Sequence, residues 1–217
     1  RWEQGYIVFF FVCLLQAEDV IPDPLWSRGL VNVYRKQGRL LTIGFSGNNW
    51  GLDWRTQVSL FDVTNESDPQ LADALPISPV SDWMNGWQWT VSEATYEHKA
   101  FQYWEADGLL AIPMSIQGGY YASGYEYISK LMLINAKPGE DLAIYDEIDH
   151  SSFYNSSYLW DSPDVRRSIF MGGGDYIYAI SEKGVTAHNV DTMEITGFVE
   201  LPSDNRPDYV DYYYGEV

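Results

Sequence analysis

Cysteine is almost absent from this chain: Cys13 is the only one in 217 residues. A single cysteine rules out an internal disulfide and any zinc site built on cysteine thiolates. It leaves the redox compartment open, because many exported bacterial proteins also lack disulfides. Basic side chains are scarce as well, 13 Lys and Arg against 31 Asp and Glu, for a formal charge of −18. A field of that sign repels phosphate backbones, so nucleic acid is not an expected partner. The charge suits saline or calcium-containing surroundings, and it equally suits a protein that simply needs to stay soluble. No apolar run spans a membrane: Tyr6–Leu15 (YIVFFFVCLL) has ten residues, where a helix needs about 20. Sustained 3.6-residue periodicity is missing too, which argues against long helices.

What the chain does have is aromatic and β-branched residues in short runs. It is 46% hydrophobic and 20% charged, enough to fold a core, and its 17 Tyr and 9 Trp favour strands. Strands are expected at Arg39–Phe45, Gln57–Val63, Gln70–Ile77, Tyr127–Asn135, Leu142–Ile148, Ser168–Met171, Tyr176–Ser181, Gly184–Val190 and Ile195–Leu201. Ala100–Trp104 and Leu109–Met114 flank Glu105-Ala106-Asp107-Gly108, whose closing Asp-Gly marks a hairpin. Tyr6–Leu15 reads as a buried strand, with a signal-peptide hydrophobic region as the alternative. Gly118–Gly124 reads as a Gly/Tyr-rich tip, and His150–Asp164 as a long loop. Trp83, Trp87 and Trp89 crowd a segment without a clear period, which reads as a hydrophobic plug or a ligand platform.

An apolar strand ending in Ile and a small residue, followed by a loop and further strands, recurs three times. The isoleucines are Ile43, Ile112 and Ile180, at spacings of 69 and 68 residues (112 − 43 and 180 − 112). Near-equal units of short strands signal radial repetition, and four-stranded units make a β-propeller. The expected fold is therefore all-β: a β-propeller of four-stranded antiparallel blades, about three of them in this chain. The approximate blades are 1–38 (partial), 39–91, 92–165 and 166–207, with an acidic, tyrosine-rich tail at 208–217. A propeller closes with roughly four to eight blades. Three imply a fragment of a longer protein, which the missing initiator Met favours, or closure with another chain.

Four segments carry a resemblance: RLLTIGF (39–45), QVSLFDVTNESDP (57–69), SEATYEHKAFQYWEADGLLAIP (92–113) and RRSIFMGGGDYIYAISEKGVTAHNVDT (166–192). They resemble the secreted β-propeller-domain proteins of bacteria and archaea, whose functions are largely uncharacterised. GYIVFF (5–10) and DPLW (23–26) resemble that family's preceding strand, which favours the strand at Tyr6–Leu15. Where the family tends to carry Asp before the His, this chain has Glu97. The resemblance implies a propeller exported from the cell, at the surface, outside it or in a periplasm. It implies no established activity.

The residues that could do chemistry gather before the central hairpin. Glu93, Glu97 and His98, with Asp82 as a fourth, could hold calcium or another divalent metal through oxygen and nitrogen. The bland alternative has His98 bonding across blades and Glu93 capping a turn. Asn48, Asn49 and Asp53, and Asp62, Asn65, Glu66 and Asp68, form oxygen-rich loops without EF-hand spacing, the usual chemistry of plain turns. Ser92, His98 and Asp107 could form a hydrolytic triad, but no Gly-x-Ser-x-Gly elbow presents the serine. Gly172–Gly174 precedes a strand rather than a helix and reads as a hairpin turn, not a phosphate loop. The sequons at Asn65 and Asn155 matter only in a glycosylating host. The expected function is a non-enzymatic extracytoplasmic binding or assembly module, with structural metal ions allowed by its acidic loops. Its partner would be a protein or cell-surface ligand, and self-association is the further expectation. The alternative is a metal-dependent hydrolase built around Glu93 and His98.

Overall fold

The computed structural model describes residues 32–36, 38–46, 55–77, 86–120, 124–150, 153 and 165–202. The strand expected at Tyr6–Leu15, the Asn48–Asp53 loop, Asp82, Trp83, the Asn155 sequon and the tail at 208–217 lie outside them. Among the described residues every regular element is a strand or a short 3-10 turn. No described helix is long and apolar enough to cross a membrane.

Among the described residues, thirteen strands make three antiparallel sheets. The first runs β1 (Asn32–Lys36), β2 (Arg39–Ser46), β3 (Arg55–Asp62) and β4 (Gln70–Ile77), each beside the next. The second holds β5 (Gly86–Val91), β6 (Gln102–Trp104), β7 (Leu109–Tyr120), β8 (Gly124–Asn135) and β9 (Ala143–Asp149). The third runs β10 (Val165–Met171), β11 (Tyr176–Ser181), β12 (Gly184–Asn189) and β13 (Ile195–Glu200). In the second sheet β5 and β6 share one edge of β7, at Ser115–Tyr120 and Leu109–Ala111, so they are one strand position broken in two. Each sheet thus has four strand positions, and the chain forms about three blades.

The sheets span 32–77, 86–149 and 165–200 rather than the approximate blades read from the sequence. β1 pairs with β2, so it opens the first sheet instead of closing an earlier blade. β5 pairs with β7, which puts Gly86–Val91 in the second sheet. A strand belongs to the edge its amides bond, and that edge lies outside any local window of composition. The tip expected at Gly118–Gly124 is also shorter, because pairing continues to Tyr120 opposite Gly124. Glycine and tyrosine together suggested a turn, but a glycine in a ladder still offers its N–H and C=O.

The register corrects the repeat. Arg39 lies opposite Asp62, Leu109 opposite Asn135 and Tyr176 opposite Asn189, so these three pairs are equivalent. Counting from them, Ile43, Ile112 and Ile180 do not all occupy the same place. Ile43 corresponds to Pro113 and Ile180, whereas Ile112 points to the opposite face, because side chains alternate along a strand. With this register the packing is the same at both joints. Leu41, Ile43, Val58 and Leu60 of the first sheet cluster with Leu110, Ile112, Met114, Met132 and Ile134 of the second. Leu109, Ala111, Leu131 and Leu133 of the second cluster with Val165, Ile177 and Ala179 of the third. Each sheet has a forward face and a back face, and each forward face meets the next sheet's back face.

The runs LLAIPM and LMLIN explain themselves on this basis. A strand covered on one face alternates apolar and polar, while a strand covered on both reads as continuous apolar sequence. Adjacent residues Leu109 and Leu110, and Leu131 to Ile134, are all buried, and successive members enter different clusters. The outermost strands β4, β9 and β13 are largely exposed.

Candidate functional site

The loop between β5 and β6 carries the candidate residues, and it exists because the inner strand of the second sheet is interrupted there. Opposite the interruption, β7 shows its edge at Ile112–Met114. Proline fits this edge because it has no N–H to leave unpaired. Its carbonyl does need a donor, and the Ser92 hydroxyl supplies it, with Ser92 Oγ 2.6 Å from Pro113 O. The same Oγ accepts from the Ala94 N–H at 3.2 Å, capping the 3-10 turn Glu93–Thr95. A second 3-10 turn, His98–Ala100, is capped by Glu97, whose carboxylate accepts from the Lys99 N–H at 3.1 Å. Ala94 and Ala100, both fully buried, seat the two turns in the core between the first and second sheets.

Glu93 points across to the third sheet. Its Oε1 accepts from Arg167 Nη1 at 2.8 Å and Arg166 Nη2 at 3.3 Å, and its Oε2 from Arg166 Nε at 3.2 Å. Arg166 also reaches Glu182 at 3.4 Å. The Glu93 side chain is only 12% exposed. Burial pushes its pKa up, but the hydrogen bonds and charges of Arg166 and Arg167 outweigh that and hold it below the ordinary carboxylate value. Glu97 is also held low, first by the Lys99 N–H.

The sequence-predicted set is therefore divided. Glu97 and His98 do come together, with His98 Nδ1 3.3 Å from Glu97 Oε1. Glu93 faces its arginines, and Asp82 lies outside the described residues. No group of three or more His, Cys, Asp or Glu side chains is placed to hold a metal among the described residues. Among the described residues His98 makes no bond across blades; its side chain is 78% exposed, and Glu93 makes the cross-sheet bridge instead. A charged side chain at a joint does better as a carboxylate facing a pair of guanidinium forks than as a neutral ring. Ser92 is committed to Pro113 and Ala94, so the Ser92–His98–Asp107 arrangement does not form an activated hydroxyl.

Gly172–Gly174 forms a 3-10 turn between β10 and β11, the hairpin expected from its sequence. Gly174 has φ +107 and lies against the Trp104 indole, where any Cβ would clash with Nε1. Of the acidic turns, Asp62 accepts from the Thr64 N–H at 2.9 Å and Asn65 from the Ser67 N–H at 3.2 Å, each bonding its own backbone. Trp87 and Trp89 lie on the backbone of β5.

Sequence reasoning missed a second polar cluster, at the joint of the second and third sheets. His150 is fully buried, and its Nε2 lies 2.8 Å from Thr186 Oγ1. His188 Nε2 lies 3.0 Å from the same oxygen. Thr186 and His188 were legible only as part of a strand, and His150 as the start of a loop. Alternation along β12 puts Thr186 and His188 on one face, a signal that could have paired them.

Substitutions separate the roles within the central loop. Ser92→Ala should cost about 1–2 kcal/mol, the loss of a buried cap and of the donor to Pro113. His98→Ala should change stability by no more than about 0.5 kcal/mol, as an exposed side chain does. Urea denaturation of both variants checks this, with a chelator added to the His98→Ala comparison. A chelator-sensitive midpoint in wild type that disappears in His98→Ala would instead place an ion at His98.

A family model described as a beta propeller domain matches residues 34–193, well over half of the chain. No curated protein matches it.

Proposed function

This chain belongs to the beta propeller domain family, and on that premise we propose that it is a non-enzymatic, extracytoplasmic assembly module. Its docking surface is the forward face of the third sheet. The observation that carries the reading is the fate of equivalent positions. The forward faces of the first and second sheets are buried under the next sheet. The forward face of the third holds Tyr178, Ile180, Val185 and Ala187 with Ile169, Met171 and Tyr176 beside them. Ile169 is 46% exposed, Met171 51% and Tyr176 38%. Its chemistry is that of the two covered joints, so the occupant is another four-stranded sheet. Export fits the acidic balance of the chain and its resemblance to secreted propellers.

Sedimentation velocity across the micromolar range tests the docking face, comparing wild type with Ile180→Asp. Wild type should associate, and the variant should stay monomeric at an unchanged melting temperature. A monomeric wild type that binds no apolar-surface dye would count against the open face. Recovery of the protein from the cytoplasmic fraction of its source cells would remove the exported reading. The hydrolase alternative lacks comparable support, since Glu93 is engaged by two arginines and Ser92 by a carbonyl.

A further inference from the structure

The three outermost strands occupy equivalent positions; their outer edges are unpaired among the described residues and differ in how they are defended. An unpaired strand edge templates another strand unless proline, charge or irregularity blocks it. β4 contains Pro76, and its Asp73 accepts from the Leu142 N–H, just before β9, at 2.6 Å. β9 carries Asp146, Glu147 and Asp149 within seven residues. β13, Ile-Thr-Gly-Phe-Val-Glu, has no proline and one charge, at its last position. It is exposed throughout, with Ile195 at 63%, Phe198 at 69% and Val199 at 62%.

The Leu201 N–H bonds Lys183 O at 2.7 Å, so residue 201 faces inward toward its neighbour. With a period of two, the N–H and C=O groups of Phe198 and Glu200 point outward from the sheet. We propose that β13 is a strand-addition site for an extended, basic segment of a partner protein. The backbone edge supplies the ladder, and Ile195, Phe198 and Val199 supply apolar contact on both sides of it. Charge selects the partner. The chain carries −18 overall, and Asp191, Glu194 and Glu200 bracket the strand with Lys183 nearby. A second copy of the chain would bring the same sign to the edge, whereas a lysine-flanked strand would be drawn to it. This site is distinct from the forward face, since it uses backbone groups at the sheet's rim.

The probe is a synthetic peptide of alternating valine and threonine flanked by lysines, beside the same peptide flanked by glutamates. Binding is read by fluorescence anisotropy and by amide hydrogen exchange across 195–200. The lysine-flanked peptide should protect the amides of Phe198 and Glu200 and bind at least tenfold tighter than its acidic counterpart. Phe198→Pro removes an outward N–H and should weaken binding at least tenfold. Phe198→Lys keeps the amide but sets a positive charge at the edge, and should weaken it too. Both variants should keep the wild-type melting temperature. Absence of peptide binding, equal binding of the two peptides, or protection elsewhere would overturn the proposal. So would dimerisation of wild type that Phe198→Pro abolishes, since the occupant would then be a second copy.

Discussion

Acidification from pH 6.5 to about 4 is expected to cost the protein on the order of 2–3 kcal/mol through His150. Burial, then the neighbouring His188, drives the His150 pKa from 6.5 down to about 4, while Asp149 pulls the other way. His188 is lowered as well, by burial first, against the Met193 carbonyl and Asp146. One hydroxyl, on Thr186, serves both rings, donating to one while accepting from the other, an arrangement that suits neutral imidazoles. Among the described residues, buried His150 Nδ1 has no hydrogen-bond partner, so a proton placed there would have no acceptor among them. Because the folded-state pKa is depressed, the unfolded chain binds protons first. The stability is therefore complete above 6.5 and declines as pH falls toward 4. The ring follows β9 of the second sheet and contacts β12 of the third, so the joint between these sheets is the part that loosens. Denaturant melts across this range should show a slope that His150→Gln flattens. Identical slopes in the two proteins would contradict the assignment.

The second large effect comes from the strand pair covered on both faces. Leu133→Ala and Ile134→Ala, adjacent on β8 and fully buried, should each cost about 2–5 kcal/mol. Leu133 enters the cluster shared with the third sheet and Ile134 the one shared with the first. Two isoleucines on opposite faces of β11 should behave differently. Ile177→Ala, on the buried back face, should cost about 2–5 kcal/mol, and Ile180→Ala, on the forward face, roughly 1 kcal/mol or less. Equilibrium urea unfolding of the four variants measures the contrast. Equal costs on β11 would mean that its forward face is already covered in the isolated chain.

These pairs show why the architecture was legible. LLAIPM and LMLIN are apolar without alternation, and only a strand with a sheet on each side needs that composition. The Asp-Gly before Leu109 was equally readable: Gly108 has φ +63, and a Cβ there would approach the Lys137 backbone at 2.7 Å. The repeat was visible, but its register was not. Ile43, Ile112 and Ile180 resemble one another in local sequence, yet Pro113 is the residue equivalent to Ile43. Turn lengths shift the frame by one, and a shift of one reverses the face. The loop residues were the hardest to read. Glu93 was read as a metal ligand or a turn cap, because its partners Arg166 and Arg167 lie more than seventy residues away. His150 was unremarkable in sequence, since burial and a shared threonine are products of the tertiary packing.

Thiol accessibility tests the stacking and the open face together, in a Cys13→Ser background that removes the only native cysteine. Single cysteines replace Ala111 and Ile112, neighbours on β7 that are both fully buried, and Ser168 and Ile169, neighbours on β10 that are 5% and 46% exposed. Both β7 thiols should resist a maleimide in the folded protein. On β10, the thiol at 168 should resist and the thiol at 169 should react quickly at low protein concentration, then slow as the protein assembles. A reactive thiol at 111 or 112, or equal protection at 168 and 169 in the monomer, would contradict the stack of three sheets with the third sheet's forward face open among the described residues.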